Sequence, residues 1–265
     1  MLYIVATPIG NLKDITLRAL ETLKSVDYIA CEDTRHSGVL LSSFEIKKPL
    51  ISYHKFNERE CADKIVELLK SGKNVALISD AGMPIISDPG NILVKVLIEN
   101  ELEYTVIPGA TACITALALS GLDASKFTFL GFMPQKKGER QEFLSKYKDL
   151  DTTLIFYSAP HDVKQDVNDL YEVFGDRKAV SVREITKLHE TINVFSLKDG
   201  YNSEERGEFV ILVEGKQKED FSSLTEEEHV KLYLNKGIDK KEAIKIVAKE
   251  RGVSKSSLYK YTIEN

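Results

Sequence analysis

The stretch VALISDAGMPIISDPG, residues 75–90, decides how the fold is interpreted, because a strand pattern runs directly into an unusual loop. The apolar run at 75–78 is typical of a strand buried on both faces. In the loop at 79–90, two glycines and two prolines surround the carboxylates of Asp80 and Asp88. Such a loop is either a tight connection between a strand and a helix or the wall of a ligand pocket. It carries neither G-x-G-x-x-G nor G-x-x-x-x-G-K-[ST], which excludes the usual dinucleotide and P-loop sites.

Around this loop, the first half of the chain alternates strand-like and helical patterns. Amphipathic stretches with apolar residues at three- and four-residue intervals separate short β-branched runs. This alternation predicts a mostly parallel sheet covered by helices, with ligands bound at the carboxyl ends of the strands. The predicted strands are 2–7, 28–32, 50–54, 74–80 and 104–108. The segments expected at the ligand edge are 7–11, 32–37, 54–58, 79–90 and 108–111.

The second half has a different order of elements. Three of its strand patterns follow one another without an intervening helical pattern, which predicts an antiparallel or mixed sheet. Its predicted strands are 127–132, 152–158, 178–186, 191–197 and 208–215, with one helix at about 160–174. We therefore expect an α/β fold divided near residue 120, with lobes at 1–120 and 121–217 and a linker with a helical tail at 218–265.

Composition excludes several classes of protein. The 265 residues are 43% hydrophobic and 29% charged, as in an ordinary globular chain. Cys31, Cys61 and Cys113 are far apart and the five His residues are scattered, so neither a disulfide framework nor a metal site is indicated. The start has no basic segment typical of a signal peptide, and the apolar stretch at 106–122 is broken by Pro and Gly. We expect a cytoplasmic protein that does not enter membranes.

The tail concentrates positive charge in an otherwise acidic chain. The whole chain has a net charge of -5, yet residues 236–260 contain eight Lys or Arg against three Asp or Glu. A helix, a break at Gly252 and a second helix capped by Ser254 form a helix-turn-helix pattern. It is either a nucleic-acid reader presenting Lys255 and Lys260 or a packing module of two short helices. The apolar stripe expected in its first helix is Ala243, Ile246, Val247 and Ala248.

Two charged segments have structural and functional interpretations. In EDTR (32–35), Asp33 or Thr34 can cap a helix through its side-chain oxygen. Arg35 is not favoured in a first helical turn, which indicates an anionic ligand or a salt bridge with Glu32. REITKLHE (183–190) places four charged residues and a histidine where a turn between strands is expected, and solvated turns are usually charged.

Several motifs in this order resemble the tetrapyrrole-methylase superfamily of S-adenosylmethionine-dependent methyltransferases, and most closely its small-subunit (16S) ribosomal RNA cytidine 2′-O-methyltransferase family. The motifs are TPIGNLKDIT, CEDTR, SDAGMPIISDPG, IPGATA, FYSAPH, REITK and GEFVILVEG, and the resemblance runs from Leu2 to about Gly215. It implies a bilobal α/β fold with the cofactor in the cleft between the lobes, a homodimer, and small-subunit ribosomal RNA or the ribosomal subunit as substrate. Tetrapyrrole-modifying members usually have G-D-P where this chain has SDAG, which favours the RNA branch.

The resemblance also implies roles for individual residues. The residues expected to contact S-adenosylmethionine are Pro8, Asp80, Ala81, Gly82, Met83, Pro84, Ile85, Ile86, Ser87, Pro108, Gly109, Ala110, Thr111, Ala112, Phe156, Tyr157 and Ser158. A ribose hydroxyl is a poor nucleophile while it is protonated, so a base or a nearby cation should help. The candidates are Asp33 or Glu184 as the base and Arg35 or Lys187 as a phosphate clamp or alkoxide stabiliser. Those expected to bind RNA are Lys136, Lys137 and Arg140 in the loop MPQKKGER, and Lys255 and Lys260 in the tail.

Two other functions compete with this hypothesis. A small-molecule tetrapyrrole methyltransferase would need neither the basic tail nor the 136–140 segment. A helix-turn-helix regulator with a ligand-sensing body would bind duplex DNA and transfer no methyl group.

Overall fold

The computed structural model describes residues 1–217, 221 and 223–262. The chain forms two compact units, Met1–Lys216 and Gln217–Asn265. In the described residues, none of the helices combines the length and apolar character that crossing a bilayer requires.

The first sheet is five-stranded and parallel, as the sequence predicts. Its order is β3-β2-β4-β1-β5, and every neighbouring pair of strands is parallel. The strands are β1 (Leu2–Val5), β2 (Tyr28–Cys31), β3 (Leu50–Ser52), β4 (Val75–Ile78) and β5 (Tyr104–Ile107). The helices of this half are α1 (Leu17–Ser25), α2 (Thr34–Ser43), α3 (Glu58–Lys70) and α4 (Asn91–Glu99).

Strand β4 lies at the centre of this sheet because all four of its side chains are apolar. Each is buried, with Val75 and Leu77 in one hydrophobic cluster and Ala76 and Ile78 in another. A strand buried on both faces needs layers of helices on both sides. The loop at 79–90 therefore leaves the carboxyl end of a strand that is buried on both faces.

The second sheet is mixed, also as predicted. Its order is β6-β7-β10-β8-β9; β6 and β7 are parallel, whereas β10 is antiparallel to both of its neighbours and β9 is antiparallel to β8. The strands are β6 (Phe127–Phe132), β7 (Thr153–Ser158), β8 (Lys178–Arg183), β9 (Thr191–Ser196) and β10 (Phe209–Val213). The helices of this half are α5 (Ala112–Ser120), α6 (Lys137–Ser145) and α7 (Val163–Phe174).

Helix α5 packs on the second sheet, so the boundary between the halves lies before it rather than near residue 120, where the sequence places it. Its buried residues Cys113, Ala116 and Leu117 pack in one cluster with Val180 of β8 and Leu212 of β10. Residues 112–120 therefore belong to the core of the second sheet rather than to the first lobe. Judged by these packing contacts, the boundary between the two halves lies in the segment that precedes α5.

The second unit contains three α-helices within its described residues: α8 (Glu226–Asn235), α9 (Lys240–Arg251) and α10 (Lys255–Leu258). Gly252 ends α9 in the left-handed conformation, and the Ser254 hydroxyl caps α10 by accepting from the Ser257 amide. The buried stripe of α9 contains Ile244 instead of the expected Ile246, together with Ala243, Val247 and Ala248. Parts of the predicted linker and tail, residues 218–220, 222 and 263–265, lie outside the described residues.

Candidate active site

A cavity of about 450 Å³ opens at the carboxyl ends of the first sheet and is closed by strands of the second sheet. One wall is the loop after β4, and the opposite wall comes from β8 and β10. Most of the lining is apolar, with a small number of polar groups, as in sites for small ligands. The lining residues are Ile9, Asp80, Ala81, Gly82, Met83, Ile86, Ser87, Asp88, Thr111, Ala112, Phe132, Tyr157, Ser158, Ala159, Pro160, Val182, Ile185, Glu208, Phe209 and Val210.

The cavity brings together ten of the residues expected to contact the cofactor. They are Asp80, Ala81, Gly82, Met83, Ile86, Ser87, Thr111, Ala112, Tyr157 and Ser158. Seven other expected residues do not line it: Pro8, Pro84, Ile85, Pro108, Gly109, Ala110 and Phe156. Phe156 is fully buried in the hydrophobic cluster on the far side of β7, because neighbouring side chains on a strand point to opposite faces.

Some residues outside the lining hold its walls together. The amide of Thr7 donates to the carbonyl of Gly82 at 2.8 Å, and the amide of Gly82 donates back to Thr7 at 3.2 Å. A Cβ at Gly109 would lie 2.8 Å from the Cβ of Ala6, so only glycine fits there without movement. The loops after β1, β4 and β5 are thus fixed against one another before any ligand binds.

The loop after β4 has a strained backbone. Ile85 and Ser87 have φ angles of 79° and 69°, in the region where a Cβ is disfavoured. Strain of this kind persists only where surrounding contacts impose it, and it is frequent at ligand sites. In this loop it turns Ile86 and Ser87 into the cavity.

Electrostatically, the loop side of the cavity is negative. Burial raises the pKa of Asp88 to about 6, and the nearby carboxylates of Glu32 and Asp80 add to the rise. Burial and Asp80 also raise the pKa of Glu32. A carboxylate that is costly to ionise in the free protein gains a favourable partner when a cation binds beside it. The cavity is therefore suited to a ligand that is largely apolar and carries positive charge.

Asp33 and Arg35 lie next to this acidic side. Asp33 caps α2 by accepting from the amide of Arg35 at 2.8 Å, and its own amide donates to Asp80 at 3.3 Å. The Arg35 guanidinium pairs with Asp33 at 3.2 Å rather than with Glu32, the partner considered from sequence. Hydrogen bonds from Arg35 lower the pKa of Asp33.

Glu184 and Lys187 form an ion-pair network at the opposite wall. The Lys187 ammonium lies 2.8 Å from Glu184 and 2.9 Å from Glu208, which lines the cavity. Although burial opposes both shifts, the pairing lowers the pKa of Glu184 and raises the pKa of Lys187. A Cβ at Gly10 would lie 2.5 Å from Lys187 Cγ, so the loop after β1 packs directly on this network.

The segment predicted to bind RNA through Lys136, Lys137 and Arg140 is partly a helix, since α6 begins at Lys137. Arg140 must be removed from the RNA-binding set, because its side chain is buried and pairs with the buried carboxylate of Asp169. Its guanidinium also donates to two backbone carbonyls at 2.9 Å. Lys136 is exposed and pairs with Glu139, and Lys137 pairs with Glu172.

Lys255 and Lys260, the two tail lysines expected to bind RNA, are both exposed. Lys255 lies in the first turn of α10, and the Lys260 ammonium lies 4.7 Å from the centre of the Tyr261 ring. The second unit therefore presents both charges to solvent.

The residues expected to contact the cofactor account for half of the lining. The additional residues are Ile9, Asp88, Phe132, Ala159, Pro160, Val182, Ile185, Glu208, Phe209 and Val210. Several are neighbours of predicted positions, such as Ile9 after Pro8 and Ala159 after Ser158. Val182 of β8 lies outside the quoted motifs. Phe209 and Val210 of β10 lie within GEFVILVEG, but no cofactor contact was expected of them, because they become part of the site only when β10 pairs with β8.

Comparison with known proteins identifies the family. The model of the tetrapyrrole (corrin/porphyrin) methylases matches residues 1–199, which is most of the chain. The chain belongs to this family. S-adenosylmethionine is the methyl donor of its members.

Among its relatives, this methylase is 44% identical over 270 residues to a Bacillus subtilis (strain 168) protein, with 98% of this chain and 92% of that one covered. It is 45% identical over 270 residues to a Haemophilus influenzae protein, covering 98% and 95%. Both relatives are called Ribosomal RNA small subunit methyltransferase I.

Solved structures confirm the bilobal α/β fold. The methyltransferase CobJ aligns with a TM-score of 0.62 at 19% identity, covering 81% of this chain and 93% of that one. Diphthine synthase aligns with a TM-score of 0.59 at 17% identity, covering 82% and 90%.

The cavity of this methylase fits S-adenosylmethionine in size and chemistry. A volume of about 450 Å³ lies within the range of pockets that enclose small ligands. Apolar side chains such as Met83 and Val210 can cover the adenine, while Asp80 and Asp88 lie where positive charge would be stabilised. The two carboxyl groups that line the cavity, those of Asp80 and Asp88, favour a cationic ligand over a neutral one, because a cation offsets the cost of ionising the buried Asp88.

Proposed function

We propose that this methylase transfers a methyl group from S-adenosylmethionine to the ribose 2′-hydroxyl of a cytidine in small-subunit ribosomal RNA. The observation that carries the proposal is the similarity, over 97–100% of the chain and at 40–45% identity, to proteins called Ribosomal RNA small subunit methyltransferase I. The cavity supports it, because its negative side suits a sulfonium ligand. The choice of ribose oxygen and of cytidine rests on the motif resemblance.

In the proposed complex, the loop after β4 binds the donor. Its backbone and the apolar wall of β8 and β10 enclose the adenosine, and Asp80 and Asp88 face the cationic end. The bound donor supplies a methyl group that is already activated by the positive sulfur. The protein mainly aligns the ribose oxygen with that methyl group and keeps water out.

The proton of the ribose hydroxyl must leave as the oxygen attacks. Asp33 and Glu184 are the proposed bases, but pairing with Arg35 and Lys187 lowers the pKa of each carboxyl group. A carboxylate with a lowered pKa is a weaker proton acceptor. The proton therefore passes to the carboxylate of Asp33 or Glu184 or to solvent, while the cationic partners, Arg35 and Lys187, stabilise the developing alkoxide or hold the adjacent phosphate.

We further propose that the protein is cytoplasmic and acts as a homodimer on the ribosomal RNA or subunit. Strand β5 lies at the edge of the first sheet. Tyr104 and Val106 on it are exposed, and an uncovered apolar edge is typical of an interface. Light scattering of the purified chain tests this point, and a monomer at micromolar concentration would contradict it.

The proposed reaction is tested by incubating the protein with labelled S-adenosylmethionine and small ribosomal subunits from cells that lack the gene. We expect label on the ribose of a single cytidine, found by nuclease digestion and mass spectrometry. Label on a tetrapyrrole, on a base, or on no RNA at all would contradict the proposal.

A further inference from the structure

The loop between β3 and α3 holds an aromatic ring in solvent. The side chain of Phe56 is 94% exposed, the largest value for any large apolar residue in the described part of the chain. A single exposed apolar side chain is ordinary on a protein surface. The position of Phe56 and the rigidity of its loop set it apart.

Phe56 lies at the ligand edge of the first sheet. In the parallel register, Cys31 of β2 pairs with Ser52 of β3 and with Ile78 of β4, so the three strands end together. Neighbouring strands are about 4.8 Å apart, which places the end of β3 about 10 Å from the end of β4. Asp80 of the cavity follows β4, and the loop of Phe56 follows β3. Phe56 is thus close to the cavity without lining it.

The backbone that carries Phe56 is firmly held. The Asn57 side chain accepts from the His54 amide at 2.8 Å and donates to the Ser52 carbonyl at 3.0 Å. The Glu58 carboxylate accepts from the Tyr53 hydroxyl at 3.1 Å and from the Gly90 amide at 3.3 Å.

Gly90 ends the loop that wraps the cavity, so the Glu58 contact fastens the loop of Phe56 to the site. A rigid backbone that keeps an apolar ring in water is preorganised for a partner.

The surroundings of the ring match single-stranded RNA. Lys55 and Arg59 flank Phe56 in sequence, and both are exposed. An aromatic face beside cations is the combination with which proteins stack an unpaired base and hold its phosphate. The His54 imidazole lies near the Phe56 ring in an edge-to-face arrangement, with 6.2 Å between the ring centres.

We propose that Phe56 is a stacking platform for the base of a nucleotide that flanks the methylated one, with Lys55 contacting the adjacent phosphate. The proposal rests on the proposed function, because it takes RNA as the substrate. Stacking here pulls the strand out of a helical conformation and leaves the target ribose at the mouth of the cavity.

Three variants test the proposal in the full-length protein: Phe56→Ala, Phe56→Trp and Phe56→Leu. Two quantities are measured, kcat/KM on small ribosomal subunits and the affinity for a short single-stranded RNA of mixed sequence. We expect Phe56→Ala to lower both by about 5- to 100-fold, the range for loss of one stacked base. Phe56→Trp should keep both quantities at the wild-type level, because tryptophan can also stack a base. The affinity for S-adenosylmethionine, measured by calorimetry, should be unchanged in all three variants.

The control is Tyr171→Ala, since Tyr171 is also an exposed aromatic residue but lies near the end of α7 that is remote from the ligand edge. Unchanged RNA affinity and kcat/KM in Phe56→Ala would overturn the proposal. Full activity of Phe56→Leu would also overturn it, because an aliphatic side chain can contact a ribosomal protein but cannot stack a base. If the wild type methylates no ribosomal RNA, the proposed function fails by itself, and the oligonucleotide affinities still decide the role of Phe56.

Discussion

Asp88 carries the clearest electrostatic signature of the site, and its substitution should have opposite effects on stability and on binding. Folding raises the pKa of this carboxyl group from 3.8 to about 6, so the folded protein favours the protonated form. The protonated carboxyl group therefore stabilises the folded state fully below pH 3.8, and this stabilisation is lost as the pH rises through 6. At pH 7, Asp88→Asn should raise the free energy of unfolding by about 1–2 kcal/mol, less than the full shift implies, because solvent screens the partly exposed carboxylate. It should weaken binding of S-adenosylmethionine by about 10- to 100-fold.

Chemical denaturation and calorimetry measure the two effects of Asp88→Asn. Asp63→Asn, on the exposed face of α3, is the matched control and should change neither quantity. A variant of Asp88 that binds the donor normally would show that this carboxylate does not face the cationic end.

The same pKa predicts the pH dependence of the wild type. A cation binds the ionised form of Asp88, so affinity for S-adenosylmethionine should be constant above about pH 7 and fall as the pH drops through 6. S-adenosylhomocysteine lacks the sulfonium charge and should show a weaker dependence. Equal pH profiles for the two ligands would place the sulfonium away from Asp88.

Arg140 should prove structural rather than RNA-binding. It is the partner of the fully buried Asp169, so Arg140→Ala leaves a buried carboxylate without its main cation. Removal of one member of a buried pair costs about 3–5 kcal/mol of unfolding free energy. The exposed neighbour Lys136→Ala should change stability by less than about 0.5 kcal/mol. A stable Arg140→Ala protein with weakened RNA binding would reinstate the prediction from sequence.

Within the loop after β4, Gly82 needs a conformation that other residues adopt only with strain. Its φ is +83°, and an added Cβ would lie 3.1 Å from Ile9, which also lines the cavity. Gly72 has the same φ of +83° but open space around it, in the turn after α3. Gly82→Ala and Gly72→Ala should each lose about 1–2 kcal/mol of stability from the backbone. Only Gly82→Ala should also weaken binding of S-adenosylmethionine. If the two variants bind this donor equally well, Gly82 does not contact it.

Local patterns predicted the elements better than they predicted the site. The parallel half follows from alternating strand and helix periods, and the loops at its carboxyl edge are found where that topology requires. The contribution of Val182 could not be predicted locally, because this residue lies outside the motifs and becomes lining only once β8 and β10 pair. Arg140 looked exposed because its segment is rich in charge, whereas the partner that buries it, Asp169, is on another helix. Helix α5 was assigned to the first lobe because its contacts with the second sheet are distant in sequence.

Most of the chain is acidic, and the positive charge is concentrated in the tail. The salt dependence of RNA affinity should therefore come from a small number of lysines that contact phosphates. Lys255→Ala combined with Lys260→Ala removes two positive charges from the second unit. If both contact phosphates, the slope of log K against log salt should become less steep by about 1.5, with donor affinity unchanged. The control replaces Lys24 and Lys95, which are exposed on α1 and α4. If the salt slopes of the two double variants are identical, Lys255 and Lys260 do not contact RNA phosphates, and the tail is a packing module.

The most direct test of the account is a crystal structure of the protein with S-adenosylmethionine. We expect the ligand between the loop at 79–90 and strands β8 and β10, with its sulfonium or amino group toward Asp80 and Asp88. Electron density for the ligand at any other place, or an empty cavity at saturating concentration, would contradict the account.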